Sequence, residues 1–258
     1  MKINLITDLL EEMYPIELAE EWDTIGLQVK PRNEEVNGII VGLTLTNDMI
    51  DKAVQSGDNL IICHHPMFFN DDIKNDLLNI KSNNLISKLI ANGIGFYGLH
   101  TNFDKKQMAL SIASLLNLEN IRLLDEETSL GIVGDLKKKK SYIDIIKEVS
   151  NLLNIEVTRY SDVELDNIIE TIAICPGSGR EFLDIAIEKA DIYLTGDLNY
   201  HSFEKAVYFN YPMIDIGHYN SEVIGMKELA INLKSNIDIP IKFEAGKNFH
   251  RNFIKNIK

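Results

Sequence analysis

Short apolar runs alternate with amphipathic stretches along this chain, and the two periods predict its elements. Leu5 to Met13 carries apolar residues at helical spacing, with Asp8, Glu11 and Glu12 on the polar side, and reads as a helix. Val36 to Leu45 reads as a strand. Thr46-Asn47-Asp48 after it offers side-chain acceptors for the start of a helix over Met49 to Gln55. Asn59-Leu60-Ile61-Ile62-Cys63 is a second buried strand. Beyond a loop rich in Asn and Asp, Leu85 to Ala91 reads as a helix, Gly93 closes it, and Ile94 to Leu99 is a strand. Asp104 falls at or near the start of a helix running through Leu116.

A second set of elements begins near Ser129. Leu130 to Asp135 reads as a strand, Ser141 to Leu153 as a helix, and Ile155 to Tyr160 and Ile168 to Cys175 as strands. Glu181 to Ala190 is a helix, Ile192 to Thr195 a strand, His201 to Phe209 a helix and Met213 to Gly217 a strand. Glu222 to Leu233 and Ile239 to Phe243 add a last helix and strand. Alternation of this kind predicts an α/β fold, two α/β/α lobes with mostly parallel sheets. The polar stretch Asp125-Glu126-Glu127-Thr128 is the best boundary, giving lobes of residues 1–127 and 128–258, with the C-terminal part of the second able to pack back on the first. No internal repeat or low-complexity segment interrupts the pattern.

Composition narrows the picture. At 258 residues the chain is long enough to bury its cores without disulfides, and its two cysteines read as small buried hydrophobes in a reducing compartment. Cys63 precedes His64 on a strand, so its side chain is expected on the opposite face. The N-terminal residues lack the basic start and apolar block of a signal peptide, and no apolar stretch nears bilayer length. A cytoplasmic protein without membrane association is expected. The net charge of −13 opposes nucleic acid and anionic surfaces on average. The one basic block, Lys137-Lys138-Lys139-Lys140, is expected in a solvated loop.

Strand ends carry the chemistry. His64-His65-Pro66 closes the run Leu60 to Cys63, His100 and Asp104 follow Leu99, Asp197 and His201 follow Thr195, and His218 and Glu222 follow Ile216. Of the six histidines only His250 lies elsewhere, in the C-terminal tail. In parallel sheets ligands bind at the carboxyl ends of strands, so these residues are candidates for one edge. Imidazole is the commonest nitrogen ligand for transition metals. A lone strand-end histidine is more often a hydrogen-bonding residue, but an adjacent pair joined by further strand-end His/carboxylate pairs reverses that preference. His218 and Glu222, four residues apart, project from one helix face about 6 Å apart along its axis. The set suits two divalent ions per chain, drawn from Zn, Fe, Mn, Ni or Co, with Asp104 and Glu222 as bridges and His64, His65 and His218 as terminal ligands. His100 and His201 are candidate proton shuttles, or residues that orient ligands or touch substrate. The turn Cys175-Pro176-Gly177-Ser178-Gly179-Arg180 is a candidate phosphate cradle, although it lacks the lysine of a P-loop. Trp22, the only tryptophan, is either an anchor against the core or a wall of the cleft.

Taken together, Trp22-Asp23-Thr24-Ile25-Gly26-Leu27, His64-His65-Pro66, His100-Thr101-Asn102-Phe103-Asp104, Pro176-Gly177-Ser178-Gly179, Thr195-Gly196-Asp197 with Tyr200-His201, and Gly217-His218-Tyr219 with Glu222 resemble the GTP cyclohydrolase 1 type 2 homologue family, the NGG-one-interacting-factor-three-like family. The resemblance runs from about Leu9 to Leu233 and matches the short form, without an inserted domain between Leu130 and Ile168. It implies a di-metal cleft between two lobes, ligands at His64, His65, Asp104, His218 and Glu222, and a toroidal homohexamer. It also implies hydrolytic opening of a purine ring. Gly246-Lys247-Asn248-Phe249-His250 lacks the proline of the family's usual tail. The expected function is a metal-dependent hydrolase acting on a nucleotide-like or phosphorylated small molecule. The alternatives are a non-enzymatic hexameric ring that binds a protein partner or single-stranded nucleic acid, and metal storage or insertion. Nucleic acid is disfavoured by the charge.

Overall fold

The computed structural model describes residues 1–68 and 80–249; the Asn- and Asp-rich loop and His250 lie outside the described residues. The chain forms two compact units, one from Met1–Met108 with Val223–Gly246, the other from Ala109–Glu222 with the segment beginning at Lys247.

The first unit contains α1 (Ile3–Met13), β1 (Gly26–Val29), β2 (Ile39–Gly42), α2 (Asn47–Ser56), β3 (Leu60–Cys63), α3 (Ile80–Asn92), β4 (Gly95–Gly98) and a late strand, β11 (Ile241–Glu244). Its sheet has the order β1-β4-β3-β2-β11, parallel throughout except for β1 against β4. Every residue of β2, β3 and β4 is buried, as continuous apolar strands covered on both faces should be. Thr46 accepts from the Met49 amide at 3.2 Å and caps α2, which Gly57 closes at φ 74°. Cys63 packs with Met49, Ile61 and Phe96, and burial pushes its thiol pKa up, in keeping with an inert core thiol. After β4 the chain forms a short turn of helix, α4 (Thr101–Phe103), a π-helical segment (Asp104–Met108) and α5 (Ala109–Leu115). Asp104 therefore sits on an irregular turn, the kind of wide turn that recurs at functional sites.

The second unit contains β5 (Glu119–Leu123), β6 (Ile132–Ser141), α6 (Tyr142–Leu152), β7 (Arg159–Tyr160), β8 (Ile168–Cys175), α7 (Leu183–Lys189), β9 (Ile192–Thr195), α8 (Tyr200–Tyr208) and β10 (Met213–Asp215). Helix α9 (His218–Asn236) starts here, and its residues from Val223 onward belong to the first unit. The sheet order is β5-β6-β8-β9-β10-β7. Only β8-β9 and β9-β10 are parallel; the other three pairings are antiparallel, so this sheet is mixed rather than mostly parallel. The segment between Leu123 and Ile132 is too short for the crossover that a parallel pair requires, which makes β5 and β6 antiparallel.

The four lysines 137–140 lie within β6 and not in a loop. A register irregularity between Asp135 and Lys140 interrupts its pairing with β8, and Lys139 and Lys140 meet Glu170 and Glu148 in ion pairs. Charged side chains on that exposed stretch hide the strand period. Val133, Ala173, Tyr193, Ala206 and Met213 form the centre of this unit's core. Among the described residues no helix is long and apolar enough to cross a membrane.

Candidate metal centre

Two clusters of histidine and carboxylate stand at strand ends, one in each unit. In the first, parallel pairing sets Cys63 of β3 opposite Gly98 of β4, so the two strands finish level. His64 and His65 leave one and His100 the other. Backbone bonds continue beyond the strands, from His65 N to Leu43 O at 3.0 Å and from Leu99 N to Cys63 O at 2.8 Å, and hold these exits in register. His64 is fully buried, with Nε2 3.4 Å from Asp104 Oδ1. Ligand atoms of His64, His100 and Asp104 all lie within 4.8 Å of one another. Metal–ligand bonds of about 2.0–2.2 Å put donors on one ion up to about 4 Å apart, so small side-chain rotations would bring these three onto one cation. The His65 ring lies 5.1 Å from that of His64 and 6.0 Å from that of His100, centroid to centroid.

Oxygen atoms orient two of these rings. His65 Nδ1 shares a 2.7 Å hydrogen bond with the Thr44 hydroxyl, two residues beyond β2. His100 Nδ1 donates to Asp23 Oδ1 at 3.0 Å, while Asp23 Oδ2 accepts from the Thr101 amide at 3.0 Å and the Thr101 hydroxyl at 2.6 Å. Burial alone would raise the Asp23 carboxyl pKa, but hydrogen bonds from His100 and Thr101 outweigh it and hold the group below the usual carboxylate range. A carboxylate on Nδ1–H fixes the tautomer and assigns Nε2 to coordination or proton transfer. Trp22 meets the His100 ring edge-on at 5.8 Å and is 55% exposed, so it flanks His100 and does not anchor the core.

The second cluster follows the same plan. Parallel pairing sets Thr195 of β9 opposite Asp215 of β10, and Asp197 and His218 follow these strands. His218 Nδ1 donates to Asp197 Oδ2 at 2.8 Å, and His218 Nε2 lies 3.0 Å from Glu222 Oε2 one helical turn on. The hydrogen bond to Glu222 raises the His218 pKa to about 9; burial opposes this, and the charge of Glu222 and the bond to Asp197 add to it. Glu222 is only 4% exposed. It fits because Gly177 has no side chain: a Cβ there would stand 2.5 Å from Glu222 Oε1, and its backbone has φ 69°. The glycine-rich turn is thus a packing device. Its Gly177 and Gly179 amides already donate to Ser221 Oγ and Thr195 Oγ1, at 3.0 and 2.9 Å, which removes two donors from the expected phosphate cradle.

His201 belongs to no metal-ligand group among the described residues. It is exposed on α8, its Nδ1 3.1 Å from Glu204 and its ring beside Tyr200. The first unit brings together His64, His65, His100 and Asp104, and the second His218, Glu222 and Asp197. Asp23, Thr44 and the orienting role of Asp197 were not read from the sequence as part of the site. The only signal for Asp23 is its place beside the single tryptophan, and Thr44 is revealed only by the pairing of β2 with β3. The donor set of imidazoles and carboxylates fits divalent first-row metals, and these residues would hold them.

The model of the family described as Duf34/NIF3 (NGG1p interacting factor 3) matches residues 1–248. A GTP cyclohydrolase 1 type 2 homolog of Clostridium perfringens is 30% identical over 255 residues, covering 96% of this chain and 97% of the relative. One from Methanocaldococcus jannaschii is 33% identical over 245 residues, with 93% and 98% covered. Among solved structures, reduced HcgD from Methanocaldococcus jannaschii superposes with a TM-score of 0.83 at 30% identity, covering 94% of this chain and 97% of that one. Staphylococcus aureus SA1388 gives 0.85 at 26% identity, with 98% and 99% covered. A family match over residues 1–248, with relatives at least 30% identical over nearly the whole chain, places this protein in the Duf34/NIF3 family.

Proposed function

We propose that this protein is a metal-dependent hydrolase of nucleotide-like or phosphorylated small molecules. In this reading His64, His65, Asp104, His218 and Glu222 hold two divalent ions, and the clusters of the two units serve one binuclear centre. The observation that carries it is the shared orientation of His65 and His218, two of the proposed ligands, each with Nδ1 on an oxygen of this chain, an arrangement that leaves Nε2 for a cation. The name of the relatives, GTP cyclohydrolase 1 type 2 homolog, makes GTP the first substrate to test.

Divalent ions in such a centre supply Lewis acidity and activate water for attack. The residues do the rest. Asp104 and Glu222 present carboxylates able to bridge. His100, held by Asp23, accepts or returns a proton at Nε2, and the exposed Trp22 ring stands edge-on beside the imidazole. The same reading includes assembly into a homohexamer.

The test is to purify the protein without added metal, measure metal by elemental analysis, and screen GTP, other nucleotides, phosphoesters and cyclic amides. About two ions per chain and a turnover that His65→Ala abolishes are expected. A metal-free protein, or a loaded protein inactive on the whole screen, overturns the reading.

A further inference from the structure

The second cluster is carried by two loops, and a side chain from a third segment grips both. The loop after β9 delivers Asp197 and runs into α8, while the loop after β10 delivers His218 at the start of α9. Arg159 lies on β7, directly across the ladder from Asp215 of β10. Its Nη2 donates to Leu198 O at 3.0 Å, one residue beyond Asp197, and also to Asp215 Oδ2. Its guanidinium carbon stands 5.5 Å from the centre of the Phe203 ring on α8.

Each loop passes this grip on to the cluster. The other oxygen of Asp215, Oδ1, accepts from the Gly217 amide at 3.0 Å, and Gly217 O accepts from the Ser221 amide at 3.1 Å in the first turn of α9. The point at which His218 leaves the backbone is thereby tied to Asp215. On the other loop, Asp197 has φ 54°, a left-handed conformation that a residue with a Cβ adopts at a cost and keeps only where its surroundings hold it. Its neighbours are pinned on both sides: Gly196 N donates to Gly177 O at 2.9 Å, and Leu198 O accepts from Arg159. From that backbone the Asp197 carboxylate reaches His218 Nδ1 at 2.8 Å. A hydrogen bond between side chains on two loops persists only while the loops keep their spacing. The Arg159 side chain is 58% exposed, so it adds little to the core, and its two bonds fall on the flanks of this one contact.

We propose that Arg159 is a positioning residue for the second cluster. By bonding Leu198 O and Asp215 through one nitrogen it sets the spacing of the two loops, and through that spacing it maintains the Asp197–His218 hydrogen bond that orients the His218 ring. That the oriented ring receives a cation rests on the binuclear reading above; control of its orientation does not.

The experiment compares crystal structures of chelated wild type and variants, and measures zinc affinity of the same proteins by competition with a chelating dye. Arg159→Met combined with Asp215→Asn leaves no buried charge unpaired. It should separate Asp197 from His218 and weaken zinc binding by about 10–100-fold. Arg159→Lys, which keeps a positive charge beside Asp215 without the planar fork, should show a smaller loss of both. In an Asp197→Ala background the paired Arg159 and Asp215 changes should add little further loss of affinity, because both routes act on the same ring. A purely structural part would instead lower the melting temperature and leave affinity intact. The proposal is overturned by a folded variant that keeps the Asp197–His218 contact, by wild-type zinc affinity in that variant, or by fully additive losses with Asp197→Ala. If the paired variant does not fold, Arg159→Lys decides by the same measurements. Wild type that takes up no zinc overturns the hydrolase reading, and the crystallographic comparison in chelated protein then decides on Arg159 alone.

Discussion

His65, His100 and His218 hold Nδ1 against Thr44, Asp23 and Asp197 at 2.7, 3.0 and 2.8 Å, and the partner in each case comes from a different segment of the same unit. Such partners fix ring orientation and raise ligand basicity, so Asp23→Asn should weaken metal binding or activity by about 10–100-fold without unfolding the chain. A competition titration against a chelating dye, with activity measured alongside, checks this; wild-type values in both would assign Asp23 a purely structural part. His218 makes a pH prediction. Its folded value of about 9 in the metal-free protein lies above the ordinary 6.5. The protonated form therefore stabilises the fold fully below pH 6.5, and that contribution disappears as pH rises from 6.5 through 9. The melting temperature of chelated protein should fall across that window, and His218→Ala should flatten the fall. Metal at His218 must displace the same proton, so calorimetry near pH 7.5 in buffers of different ionisation enthalpy should show proton release on metal binding.

The elements that carry these residues differ in how openly the sequence announces them. β3, β4 and β9 are buried, mostly apolar runs followed within two residues by histidine or aspartate, and each ends at or within two residues of the end expected from sequence. β5 is exposed at all five positions and has no apolar period to read, and the lysines of β6 conceal the outer part of a strand behind charge. The glycine turn after β8 belongs to this scale too. Gly177 combines a left-handed backbone with a Cβ position inside hydrogen-bonding distance of Glu222. Gly177→Ala should cost about 1–2 kcal/mol in backbone strain alone and displace the Glu222 carboxylate. Thermal denaturation and metal titration should show both losses together; a stable variant with wild-type affinity would show that the turn has slack.

At the scale of the whole molecule, proposed assembly makes a direct prediction: light scattering at micromolar concentration should give a mass near six times the 29.3 kDa chain, and a clean monomer would remove the ring from the functional reading. Helix α9 begins with His218 and Glu222 in one unit and supplies Val223 onward to the other, so its start links the second cluster covalently to the first unit. The amino-acid pattern by itself determined the α/β class, most of the strands and helices, and which histidines and carboxylates stand at strand ends, because those depend on period and on neighbours in sequence. It also identified the family, through motifs spread along the chain. Tertiary structure alone decided that Asp23 reaches His100 across 77 positions, that Thr44 meets His65, and that the glycine turn packs on Glu222 instead of cradling phosphate. It likewise placed Arg159 opposite Asp215, and left His201 facing solvent beside Glu204. Those outcomes depend on strand order and register, which bring distant segments within a few ångströms, and no local period encodes them.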